Sequence, residues 1–123
     1  VGAHALAHHG VPRFTGDLDI LVRREAGNAR RIVEALDSFG FGGLGISESD
    51  FTTPETVVQL GQPPSRADLL TSISGVTWEE ARAGAEVARL GDHQVAILGR
   101  NELIKNKRAA GRAKDLADLE ALG

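Results

Sequence analysis

The stretch Arg13-Phe-Thr-Gly-Asp-Leu-Asp-Ile-Leu-Val22 decides how this sequence is read. From Asp17 onward polar and apolar residues alternate and then give way to the apolar run Ile20-Leu-Val22. That is the pattern of a strand with one edge at the surface. Residues two apart on a strand share a face, so Asp17 and Asp19 place two carboxylates on one side, about 6.5 Å apart along the chain. Such crowding is unfavourable unless water reaches both groups or a cation lies between them. Hard divalent cations such as Mg²⁺ take carboxylate oxygens and substrate phosphates as ligands, so the patch suits one. A solvated edge or turn cap is the commoner setting for an Asp-x-Asp pair. The pair gains meaning only with other residues.

Working outward, Gly2 to His9 reads as a short helix stopped by Gly10 and Pro12. Asn28 is the expected N-cap of a helix that places Ile32, Val33 and Leu36 on one face and ends at Gly40. Phe39 to Gly45 holds too much glycine for a helix and reads as a bend. Strands are expected at Val57 to Leu60 and Arg66 to Ile73, joined by the turn Gln62-Pro-Pro-Ser65. Thr77-Trp-Glu-Glu80 has the form of a capping box that opens a short helix. Glu86 to Leu90 and Gln94 to Leu98 flank Gly91-Asp92 as a hairpin. Asn101 is expected to cap a helix through Ala110; Gly111 breaks it, and a last helix runs from Ala113 to Leu122. The fold class is α/β, a small mixed sheet flanked by helices, in one domain over residues 1–123.

The totals agree with a globular domain: 41% hydrophobic and 25% charged residues, with no apolar run near the roughly 18 residues of a membrane span. No signal peptide is evident at the N-terminus. With no cysteine, thiolate and disulfide chemistry are excluded, any metal must use oxygen or imidazole ligands, and a cytoplasmic, reducing setting is expected. The net charge of −3 argues against a nucleic-acid polycation. Lys105, Lys107, Arg108, Arg112 and Lys114 nevertheless make a local basic cluster, which is either a solvated helix face or a contact for RNA or nucleotide phosphates.

Two further features bear on chemistry. Asp68, in Arg66-Ala-Asp-Leu-Leu-Thr71, puts a charge inside an apolar strand, which is costly unless it is paired. The plain explanation is a salt bridge to a neighbouring arginine or an exposed edge. Gly2-Ala3 opens the first helix, where a backbone free of side chain lets N–H groups approach phosphate.

Together, Val1-Gly-Ala3, Arg13-Phe-Thr-Gly-Asp-Leu-Asp-Ile20 and Asp68 resemble the minimal nucleotidyltransferase fold of the DNA polymerase beta superfamily. Its members have a glycine followed by glycine or serine, a spacer, an Asp-x-Asp strand and a third carboxylate on a neighbouring strand. Ala7-His-His-Gly-Val-Pro-Arg13 and the tail Leu103 to Leu119 narrow the resemblance to the branch related to the AbiEii toxins of toxin–antitoxin systems.

The resemblance implies in-line attack on the α-phosphate of a nucleoside triphosphate, with Mg²⁺ or Mn²⁺ as the metal. Asp17 and Asp19 would hold both ions and the triphosphate; Asp68 would hold the second ion and take the proton of the acceptor hydroxyl. Lys107 would neutralise phosphate and Asp115 would orient that lysine or help bind nucleotide. Arg13 and Thr15 would position the loop before the strand, and Gly2 and Ala3 would offer backbone N–H groups to phosphate. The acceptor would be RNA or a protein, and an antitoxin protein would be the partner. Ala3 stands where glycine or serine is usual, so a hydroxyl contact is lost while the N–H remains. The sequence contains no methionine, so Val1 is not read as a translation start, and a strand preceding Gly2 is expected to be missing.

Two alternatives remain open: a domain of this fold that binds nucleotide without turnover, and an interaction domain that dimerises through a sheet edge. Among other residues, His4 and His8 share a helix face suited to a transition metal, but no HExxH-type carboxylate accompanies them. Surface or helix-end packing is the plainer reading for them and for His9. Trp78 is expected to act as a hydrophobic lid.

Overall fold

A computed structural model describes residues 1–11, 17–62 and 65–123, without the side chains of Ala3, Asp17, Ser65 and Leu90. The chain forms α1 (Gly2–His8), β1 (Asp17–Leu21), α2 (Ala26–Ser38), 3₁₀ turns at Gly42–Leu44 and Glu48–Phe51, β2 (Val57–Gln62) and β3 (Ser65–Leu70). Then follow α3 (Trp78–Gly84), β4 (Glu86–Leu90), β5 (His93–Ile97), α4 (Arg100–Ala110) and α5 (Ala113–Leu122). Among the described residues this is a small α/β fold with a three-stranded mixed sheet, ordered β1-β3-β2, and a separate β4-β5 hairpin.

Strand β3 lies in the middle, parallel to β1 and antiparallel to β2. The register pairs Asp17 with Arg66, Asp19 with Asp68 and Leu21 with Leu70 across the parallel pair, and Gln59 with Asp68 across the antiparallel one. Alternation along the strands then sorts the two faces. Val58, Leu60, Ala67 and Leu69 join Val22, Ala29, Leu36 and Phe51 in one hydrophobic cluster beneath α2, with Phe51 fully buried. Asp19, Arg66, Asp68 and Gln59 fall on the other face. A second cluster, Ala5, Leu6, Val76, Ala81, Leu98, Leu103 and Leu122, gathers α1, α3, α4 and α5.

Thr77 caps α3 through its hydroxyl and Glu80 closes the box, as its sequence form predicts. Two other caps differ from expectation. Helix α2 starts at Ala26, with extended Glu25 as N-cap, and the Asn28 side chain instead donates to the Arg23 carbonyl at 3.0 Å. Asn28 is thus the third residue of the helix, and the Glu25 carbonyl accepts the first helical bond, from Ala29 N–H at 2.8 Å. Helix α4 starts at Arg100 with Gly99 as N-cap, not Asn101. A Cβ at position 99 would lie 2.3 Å from the Gly84 carbonyl oxygen, so packing against the end of α3 selects glycine there. Strand β3 ends at Leu70, three residues short of Ile73. Buried Thr71 still donates its N–H to the Thr56 carbonyl at 3.0 Å, but its hydroxyl accepts from the Thr56 N–H at 2.9 Å and donates to the Thr53 carbonyl at 2.7 Å, which ends the regular ladder. Strand β2 runs to Gln62, and the turn prolines, Pro63 and Pro64, lie outside the described residues.

Candidate functional site

The register partners Asp19 and Asp68 sit side by side on neighbouring parallel strands, on the same sheet face and about 4.8 Å apart in the backbone. Position 17 adjoins Arg66 on the same strand pair, while its side chain lies outside the described residues. So do Arg13 and Thr15, the two residues read as positioning the loop. Gly2 closes against this face from α1. Its φ is +66°, and a Cβ there would meet Oδ2 of Asp19 at 2.2 Å, so only a bare backbone fits beside that carboxylate. Ala3 follows it in the first turn of α1.

Asp68 is buried and bound by Arg66 in a two-pronged contact, Nε to Oδ1 at 2.8 Å and Nη2 to Oδ2 at 2.9 Å. This charge-assisted pair lets a carboxylate sit within a strand. The salt bridge anticipated for an isolated strand aspartate therefore exists, alongside the shared face with Asp19. Each oxygen keeps lone-pair capacity beyond its bond to Arg66.

Lys107 and Asp115 meet each other in a second cluster, between α4 and α5. Lys107 is buried one turn beyond Leu103, with Nζ 3.3 Å from Oδ1 of Asp115 and 3.0 Å from Oδ2 of Asp118. Asp115 and Asp118 are fully buried. Arg112 adds its Nε at 2.7 Å and its backbone N–H at 3.1 Å, both to Oδ2 of Asp115. Hydrogen bonding from Arg112 holds the Asp115 carboxyl below its ordinary value; burial opposes this and Lys107 assists it. Sequence reading singled out Asp115 but passed over Asp118. The available signal was the three-residue spacing, which puts both acids on one side of α5. The rest of the basic cluster is partly committed too: Lys105 pairs with Glu80 and, through that hydrogen bond, holds Glu80 below the usual carboxylate range.

Asp19 also opens onto a cavity of about 830 Å³ between α1, β1, α3 and the hairpin. Trp78, half-buried, forms part of its wall with Arg82, Arg89, His4 and His8. Asp68, Lys107 and Asp115 are not among the lining residues.

His8 groups with His9 and Glu86. One donor atom from each of the three lies within 4.8 Å of the others. Glu86 opens β4, and nothing in the sequence ties it to the histidines, which are far away along the chain. Pairing across that distance is a tertiary fact.

No protein-family model matches this chain, and no curated protein matches it.

Proposed function

We propose that this chain is a nucleotidyltransferase of the DNA polymerase beta type, in the branch related to the AbiEii toxins. It moves a nucleotide from a nucleoside triphosphate to an RNA or protein acceptor. The observation that carries this reading is the direct pairing of Asp19 with Asp68 on adjacent parallel strands, with the bare Gly2 backbone against Asp19.

The donor set is all oxygen and fits Mg²⁺ or Mn²⁺. Asp17, Asp19 and Asp68 would hold the ions, which supply charge neutralisation at the α-phosphate and at the leaving group. The acceptor hydroxyl oxygen bonds to the α-phosphorus as the bond to the β-phosphate bridging oxygen breaks and pyrophosphate leaves. Asp68 takes the hydroxyl proton. The bare Gly2 backbone fits beside Asp19 and would offer its N–H to phosphate, and the Ala3 N–H would add a second donor. Arg66 aims the Asp68 carboxyl, whose oxygens would hold the second ion. Arg13 and Thr15, which lie outside the described residues, would act on the segment before β1 as the resemblance implies. As a toxin, the protein would act in the cytoplasm and be held in check by an antitoxin protein. No helix among the described residues is long and apolar enough to cross a membrane.

A second reading is favoured by the engaged state of two of these groups. The closed Arg66–Asp68 pair and the burial of Lys107 between Asp115 and Asp118 suit a domain that binds nucleotide without turnover. Labelled nucleoside triphosphates mixed with the protein, Mg²⁺ and total RNA or cell extract separate the two. The enzyme moves label onto macromolecules and loses this in Asp19→Asn and Asp68→Ala, while Asp68→Ala still binds triphosphate. Triphosphate binding with no transfer by the wild type establishes the second reading. Failure to bind any triphosphate removes both and leaves a domain that dimerises through a sheet edge such as β1.

A further inference from the structure

We propose that His8, His9 and Glu86 form a binding site for a transition-metal dication of the zinc class, separate from the carboxylates on the sheet. The ligands come from the C-terminal end of α1 and the first residue of β4, so a bound ion would tie the first helix to the hairpin. Nε2 of His8 lies 3.5 Å from Oε1 of Glu86, and Nε2 of His9 lies 3.7 Å from Oε2. In a tetrahedral zinc site with bonds of about 2.0–2.1 Å, neighbouring ligand atoms are about 3.3 Å apart. Each imidazole therefore stands within a few tenths of an ångström of that spacing from one Glu86 oxygen, a different oxygen for each ring, and a single donor atom from each residue lies within 4.8 Å of the other two. Both distances exceed an ordinary hydrogen bond, so the groups converge without being locked to one another.

The chemistry selects the ion. Two imidazoles and one carboxylate favour Zn²⁺, Co²⁺, Ni²⁺ or Cu²⁺ over Mg²⁺, which takes oxygen ligands. An ordinary ion pair would need one imidazole facing the carboxylate, and here two do. Their rings are 5.0 Å apart and nearly perpendicular, each with its Nε2 turned to the one carboxylate. A single dication satisfies the carboxylate and both rings together. Binding has one cost. The His9 ring, 7% exposed, meets the Leu98 carbonyl oxygen at 2.8 Å through Nε2, which must donate there. Metal uptake exchanges that hydrogen bond for a metal bond and moves the ring proton to Nδ1. The lost hydrogen bond opposes binding and so weakens the site. Three protein ligands leave a fourth position open, and His8 also lines the cavity of about 830 Å³, so the ion would stand at its wall.

The test uses protein stripped with a chelator and titrated with ZnCl₂ by calorimetry, and with CoCl₂ by visible absorption. The expected result is one Zn²⁺ per chain at micromolar or tighter affinity, and the d–d absorption of four-coordinate Co²⁺ in the wild type. His8→Ala and the near-isosteric Glu86→Gln each weaken Zn²⁺ at least tenfold and lose the Co²⁺ band. His4→Ala, which tests the helical i,i+4 pairing instead, leaves both unchanged, and excess Mg²⁺ does not compete. Absence of the Co²⁺ band in the wild type overturns the proposal without reference to any variant. So does Zn²⁺ binding that is indifferent to both His8→Ala and Glu86→Gln, or that Mg²⁺ displaces.

Discussion

Replacing Lys107 by methionine separates an internal role for that residue from a phosphate-binding one. The substitution keeps an unbranched side chain one atom shorter and removes the cation that lies 3.3 Å from Asp115 and 3.0 Å from Asp118. Both acids are fully buried, and Asp115 retains Arg112 at 2.7 Å. Removing one partner from a buried ionic group costs about 3–5 kcal/mol, because the remaining charge stays out of water. The retained Arg112 contact puts Lys107→Met at the lower end, about 3 kcal/mol. A domain of this size has about 5–15 kcal/mol in all, so the loss is a large share. With a urea slope of about 1.5 kcal/mol/M, the unfolding midpoint should fall by about 2 M. Lys107→Met/Asp118→Leu should recover much of that, since apolar replacement of both members of a buried pair is close to neutral. Urea unfolding followed by circular dichroism reads both. A Lys107→Met midpoint within experimental error of wild type, together with weakened triphosphate binding, would refute the argument and make Lys107 a phosphate ligand.

Further outcomes follow from the same geometry. Gly2→Ala forces a left-handed residue and drives a methyl into Asp19, so it should cost about 1–3 kcal/mol; on the proposed function Mg²⁺ should raise the wild-type melting temperature and Gly2→Ala should abolish that rise, whereas an equal rise in both would place the metal away from Asp19. Phe51→Ala empties the centre of the cluster under α2 and should cost about 3–5 kcal/mol in denaturant unfolding, whereas a loss under 1 kcal/mol would mean that the cluster carries little of the fold. The Asp115 carboxyl is depressed by Arg112 from its ordinary 3.8. Its stabilising contribution is thus present above that value and is lost as pH falls through the lower folded one. Wild-type stability should decline below about pH 4, and Arg112→Ala should flatten that decline; identical acid profiles would show that the guanidinium contributes nothing.

Local pattern was enough for most elements of this fold. The period of the apolar residues located the strand at Asp17, the hairpin at Glu86 and the late helices. The Thr77 box was legible because a cap and its partner are three residues apart. Side-chain spacing along one strand also put Asp17 and Asp19 on one face before any partner strand was known. Caps chosen by tertiary packing were not legible. Gly99 opens α4 because the Gly84 carbonyl leaves no room for a Cβ, a constraint that arises 15 residues away along the chain. What sits beside each charge was likewise decided only on folding. The sheet register set Asp68 next to Asp19, whereas its contact with Arg66, two residues away on the same strand, is local and was anticipated. The packing of α4 on α5 buried Lys107 between two acids, and the docking of α1 against the hairpin brought Glu86 to His8 and His9. Periodicity fixes which side of an element a residue occupies, whereas the identity of its neighbour across space depends on how whole elements close over one another.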